Sequence, residues 1–279
     1  MPDGNSRGTD VRPDLCSLTL KLDAARGVDR SELARLRSRF QGVLLERVDT
    51  HFAERVHTLS TNPYSQYLTT LGDNERAGSS ARFTKLEWRV NTLDTDAKEH
   101  ILSALLATRF DRFTVRASNL DLTVEGKDLV QISHKRLAER FYEPLCPNDV
   151  TVRFVTPTAF KQQGAYVILP EPRLMLQSLA LKYSTLFDGD EPGADLIDEL
   201  GNAARVVRYS IRTQQFHVDR VRVPGFVGTV SFRVTGAPTL KSYVAMLLLF
   251  GEFSGCGIKT SMGMGGMRLL TDIAPGRVQ

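Results

Sequence analysis

Apolar and polar residues alternate over residues 15–22 (LCSLTLKL), the period-two pattern of a strand with one buried face. The period then lengthens. Asp29 and Glu32 stand three apart in the manner of a capping box, and Leu33, Leu36, Phe40, Val43, Leu44, Val48, Phe52 and Val56 follow at spacings of three and four. This predicts one long amphipathic helix ending near His57, with Pro63 just beyond it. Residues 64–71 read as a strand, 72–80 as a Gly/Ser-containing loop, and 82–93 as a further strand. Ile101, Leu102, Leu105 and Leu106 give 96–110 a helical spacing, and 113–130 is extended again. The first half therefore reads βαββαβ.

Two prolines within 143–149 mark a boundary, after which the order partly repeats. Residues 150–155 alternate like a strand; 174–187 and 194–207 are predicted helices, and 216–223 and 228–234 predicted strands. An apolar helix over 240–250 and a strand over 267–270 complete the pass. The expected fold is α+β, two tandem ferredoxin-like (RRM-like, βαββαβ) domains over 11–143 and 150–279 behind a mobile tail, 1–10.

Composition narrows the class. With 279 residues, 42% hydrophobic and 24% charged, the chain has material for sizeable cores and is neither disordered nor fibrous. The longest apolar run, 244–250, is short of a membrane span, and residues 1–10 lack an apolar stretch, so a cytoplasmic protein without membrane contact is expected. Cys16, Cys146 and Cys256 are far apart and in no CxxC arrangement, which argues against a disulfide framework or a zinc site. The net charge of +4 leans toward a polyanionic partner.

Candidate chemistry concentrates near the C-terminus. Six of the 21 glycines fall within 251–266, directly after the apolar helix: Gly251, Gly255, Gly257, Gly263, Gly265 and Gly266. Glycine permits positive φ and close backbone approach, so successive N–H groups can converge on a phosphate. The segment 255–261 (GCGIKTS) is not a P-loop, because Ile258 stands where the glycine before the lysine is required. On composition alone a phosphate cradle and a structural turn remain equally open.

The wider pattern is more informative. Phe253-Ser-Gly255-Cys-Gly257, then five residues, then Gly263-Met-Gly265-Gly266-Met267 resembles the glycine-rich signature of the CRISPR-associated precursor-crRNA processing endoribonucleases of the RAMP superfamily. Residues 154–160 (FVTPTAF) and 224–228 (PGFVG) look like that family's strand-to-loop segment and late hairpin. Residues 57–65 (HTLSTNPYS) are similar to the segment in which the family places its catalytic histidine ahead of a Pro-aromatic pair. The resemblance implies two ferredoxin-like domains and site-specific cleavage of precursor CRISPR RNA within its repeats. It also implies attack by the ribose 2′-OH, with no metal and no cofactor, and His57 in the catalytic position. Members with a second, lysine catalyst carry it just before the Pro-aromatic pair, where this chain has Asn62.

Histidine suits either proton step of such a cleavage, since its unperturbed pKa is about 6.5. Of the five, His57 matches the family position, His51 is the second choice, and His100, His134 and His217 have no motif. Arg205, Arg208 and Arg212 would share one face if the helix over 194–207 continued, and Lys259 and Arg268 add charge around the glycines. Together with Gly255, Gly257, Gly263 and Gly265 these are the expected RNA contacts. Lys85 and Arg82 are candidates by position beside Trp88 alone. An alternative is a non-catalytic RAMP subunit that holds guide RNA in a CRISPR effector complex; such a complex is also the candidate recipient of a processed product.

Overall fold

A computed structural model describes residues 14–73, 81–142, 148–218 and 221–271. The expected mobile tail, Cys146 and most of the boundary segment 143–149 lie outside the described residues.

The alternation at the start of the chain becomes β1 (Leu15–Val28), which runs on well past residue 22. Its Leu18, Leu20 and Leu22 point into a core, while Thr19 and Lys21 lie on the other face. With β2 (Tyr64–Thr70), β3 (Phe83–Thr92), β4 (Arg112–Val115) and β5 (Leu120–Ile132) it forms a sheet ordered β2-β3-β1-β5-β4. One face is covered by α1 (Arg30–Leu45) and by a helical stretch made of α3 (Thr95–Ala97), a π-turn (Lys98–Leu102) and α4 (Ser103–Leu106). Phe40 of α1 meets the Trp88 ring edge-on at 4.9 Å in this core.

The single long helix predicted up to His57 is in fact two. At the close of α1 the Glu46 N–H turns back to the carbonyls of Gly42 and Leu44. Asp49 then caps a separate α2 (Thr50–Thr58), accepting the Phe52 N–H at 2.9 Å. The apolar spacing runs unbroken through Val48, Phe52 and Val56 because all three pack into the same core as α1. Periodicity registers the core, not the break.

The second sheet contains β6 (Asp149–Thr158), β9 (Ala204–Val218), β10 (Val221–Val234) and β11 (Met267–Leu269), ordered β11-β6-β10-β9. A small hairpin, β7 (Phe160–Gln162) and β8 (Ala165–Val167), stands apart. The helices are α5 (His134–Glu139), α6 (Pro172–Tyr183) with a π-turn after it (Ser184–Asp188), α7 (Ala194–Ala203) and α8 (Pro238–Ser254). In both sheets the first and third strands of the βαββαβ unit pair centrally, the ferredoxin-like order, with β4 and the β7–β8 hairpin as additions. The second core gathers α6, α8 and the inner face of their sheet, and takes in Leu15, Leu93 and Leu137 from the first half of the chain.

The helix expected over 194–207 ends at Ala203, so Arg205, Arg208 and Arg212 lie on strand β9. Val206, Ile211 and Thr213 are β-branched and pair along the ladder to β10, which outweighs the helical spacing of the arginines. They still share a face, for a different reason. The register steps at Val207, putting Arg205 opposite Arg233, Arg208 opposite Ser231 and Arg212 opposite Val227, three positions of β10 on one side. The strand predicted over 216–223 is likewise two pieces, the end of β9 and the start of β10.

Candidate functional site

His57 sits in the last turn of α2, exposed, with no hydrogen bond or ion pair among the described residues. Only Phe52 and Val56 of α2 are buried, at 1% and 3% exposure, so the helix rides on a two-residue apolar foot. His51 is also exposed, at the opposite end of the helix.

Beyond His57 the chain crosses the buried Pro63 into β2, all seven of whose residues are buried. A strand at the edge of a sheet is buried on both sides only if something covers it, and the cover is the glycine-rich segment. Asn62 Nδ2 donates to Ser261 Oγ at 3.3 Å and Gln66 Nε2 to the Ser261 carbonyl at 2.9 Å. Ser65 Oγ donates to the Phe253 carbonyl at 2.5 Å. Behind them Trp88 Nε1 holds Gln66 Oε1 at 2.7 Å and Asn91 Nδ2 holds Ser65 Oγ at 2.8 Å. The polar positions of an otherwise core-like strand thus fasten the segment after His57 to the loop.

The loop does not form an open cradle of N–H groups. Gly255 N–H goes to the Gly251 carbonyl, Gly257 N–H to Ser178 Oγ at 2.9 Å, Gly263 N–H to the Thr260 carbonyl and Gly265 N–H to the Pro157 carbonyl at 3.0 Å. All four glycines are buried, so their N–H groups are already used. What requires glycine is space: at Gly265, φ +69°, a Cβ would lie 2.1 Å from the Cys256 carbonyl oxygen, and at Gly257, φ +85°, 2.4 Å from that of Ala159. Lys182, which no sequence signal singled out, reaches in from α6 to the carbonyls of Ser254 and Gly255 and to Thr260 Oγ1 at 3.0–3.5 Å. Burial pulls its ammonium down to about 8, against the neighbouring Cys256 side chain, which favours the charged form.

Two of the cations expected at the loop part company. Lys259 is exposed, in a left-handed conformation with φ 54°, and pairs with no carboxylate among the described residues. Arg268 is bound instead to Glu87 of β3 and to Tyr67 Oη at 3.3 Å, which ties β11 to the first sheet. It lines a cleft of about 300 Å³ between the halves with Arg153, its partner in register, and Thr69 and Thr70. Arg205, Arg208 and Arg212 lie exposed on β9, the edge strand of the second sheet. Lys85 is paired with Glu125 at 2.5 Å and Asp23 at 3.1 Å, and Arg82 Nη2 donates to the Gly27 carbonyl at 2.6 Å.

The other histidines lie elsewhere in the fold. His134 is buried and bonded through Nε2 to Tyr183 Oη at 2.9 Å. His217 lies near the tip of β9, its pKa lowered by burial and then by Arg222 and Arg35. His100 bridges Asp49 and Asp96. Among the described residues no three His, Cys, Asp or Glu side chains converge as metal ligands, and no helix is long and apolar enough to cross a membrane.

Residues 152–267 match the family model described as CRISPR-associated endoribonuclease Cas6. The CRISPR-associated endoribonuclease Cas6 of Mycobacterium tuberculosis is 40% identical over 255 residues, spanning 91% of this chain and 78% of that protein. The corresponding endoribonuclease of Streptococcus thermophilus is 36% identical over 233 residues, spanning 83% and 90%. Among solved structures, a Cas6 product complex superposes with a TM-score of 0.70 at 22% identity, over 92% of this chain and 99% of that one. The likeness spans both sheets and the segments that join them, and it favours an enzyme over a binding-only subunit: this chain belongs to the Cas6 family of CRISPR-associated endoribonucleases.

Proposed function

We propose that this protein cuts precursor CRISPR RNA inside each repeat, without a metal ion, by driving the ribose 2′-OH onto the adjacent phosphorus. The observation that carries this is the placement of His57: exposed, unpartnered among the described residues, and followed within ten residues by the stretch that Asn62 and Gln66 fasten to the glycine-rich loop. His57 is the proton-transfer group, with His51 the second choice. Bond making and breaking balance without a further reactant. The 2′ oxygen forms a bond to phosphorus as its proton leaves, and the P–O5′ bond breaks as a proton reaches the departing oxygen. The products are a 2′,3′-cyclic phosphate upstream and a 5′-OH downstream. Lys259 and the β9 arginines supply cations for the phosphates, and of the two units over 11–143 and 150–279 the first presents His57 and the second these cations. The nucleophile already present on the substrate supports a metal-free route.

The test is single-turnover cleavage of a labelled repeat in EDTA. His57→Ala is expected to lower the rate by about 10²–10⁴ with RNA affinity nearly unchanged. A substrate carrying one 2′-deoxyribose at the cut should bind and stay whole. A 5′-phosphate on the downstream fragment, or full cutting of the deoxy substrate, would overturn the mechanism.

A further inference from the structure

α2 is short and rests on two apolar side chains, which fix its distance from the core better than its rotation. Its charged groups supply the remaining constraint. His100, from the π-turn after α3, places Nδ1 2.6 Å from Asp49 Oδ2 and Nε2 3.3 Å from Asp96 Oδ1. The same imidazole stacks on Phe52, ring centroids 4.9 Å apart and planes 28° apart. Arg55 closes the circuit, bound to Asp96 and lying 5.3 Å over the other partner of that stack, the Phe52 ring. Asp49 is the N-cap of α2 and Arg55 precedes His57 by two residues, so the network grips the helix at its start and in its last turn. The Phe52 N–H holds the Asp49 carboxyl below the usual range against some burial, and His100 adds to this.

We propose that Asp49, Arg55, Asp96 and His100 act as positioning residues, a charged clamp that sets the rotation of α2 and thereby the direction in which His57 meets the RNA. This rests on the reading of His57 as the proton-transfer group. The clamp residues are partly exposed, and exposed ion pairs add little to global stability, so the effect falls on orientation. Misplacement of a reacting group is costly in rate even when it is small.

His100→Ala is expected to slow single-turnover cleavage about tenfold while leaving repeat-RNA affinity unchanged. His100→Arg, which supplies a planar group able to stack on Phe52 and reach both carboxylates, should recover most of the rate. Amide exchange over Thr50–Thr58 should quicken in His100→Ala and return toward wild type in His100→Arg. Wild-type cutting by His100→Ala, an Arg variant as slow as the Ala variant, or unchanged exchange in α2 would each overturn the clamp. A wild-type protein that cuts no repeat, or a fully active His57→Ala, would instead overturn the reading of His57, and amide exchange would still decide whether the clamp holds α2.

Discussion

The two segments of the candidate site are built in opposite ways. The arm that carries His57 is a nine-residue helix with two buried side chains and an exposed charged network. The glycines of the glycine-rich loop are buried, their N–H groups spent on carbonyls and hydroxyls from three stretches of the second half. One is an arm on a narrow apolar foot and the other a wall held by many hydrogen bonds. The contrast matches a division of labour in which the wall fixes where the two halves join and the arm fixes the direction of a proton-transfer group.

The comparison breaks most completely at Gly265. Any larger residue there would hold its side chain at φ +69° with its Cβ 2.1 Å from the Cys256 carbonyl oxygen. Gly265→Val should therefore cost on the order of 4 kcal/mol or more, read as lost soluble yield or a collapsed Tm, whereas His57→Ala on the arm should stay within about 0.5 kcal/mol. Equal stability of the two variants would remove the distinction between wall and arm.

A smaller effect tests how the wall is pinned. Burial lowers the Lys182 ammonium from 10.5 to about 8, so over that window the unfolded chain binds more protons and stability should rise with pH. Burial raises the neighbouring Cys256 thiol from 9.0 to about 12, so above 9.0 the folded state keeps a proton that the unfolded chain releases, and this contribution falls with pH. Urea midpoints should climb from about pH 8 to 9.0 and then level off, and Cys256→Ala should extend the climb to 10.5. Lys182→Met should abolish it. A wild-type profile that is flat from 8 to 9.0 would mean that the carbonyls around Nζ keep the ammonium fully charged.

The smallest expected effect belongs to an exposed element that resembles the arm more than the wall. Arg208→Ala on the edge strand β9 should leave Tm unchanged and reduce the salt dependence of repeat-RNA binding by a slope of about 0.7, the yield of one single-strand phosphate contact. An unchanged slope would return Arg208 to ordinary solvated surface.

Much of the fold was legible along the chain, because strand alternation and helix spacing are local records of which side chains face a core. The β1 pattern, the apolar α8 and the repeated order of elements all come from that record. The failures were of one kind. The helix break at 46–49 was hidden because Val48 continues the apolar series, although Asp49 three residues before Phe52 is itself a capping signal. The helix expected over 194–207 overruns Ala203 because the strand beyond it is decided by pairing with β10, where the β-branched Val206 and Ile211 take their places in the ladder.

By itself the sequence determined the two ferredoxin-like passes, the clustering of glycines after α8 and the segment that places a histidine before Pro63, all of which depend on residues near one another in the chain. Only the tertiary structure decided what those residues touch. That Gly257 and Gly265 are held against Ala159 and Pro157, that β2 is covered by Ser261, and that His100 grips a helix begun at Asp49 are facts between residues far apart along the chain. Composition and periodicity carry no record of such pairs, because each partner's local pattern is satisfied equally well by water or by another neighbour.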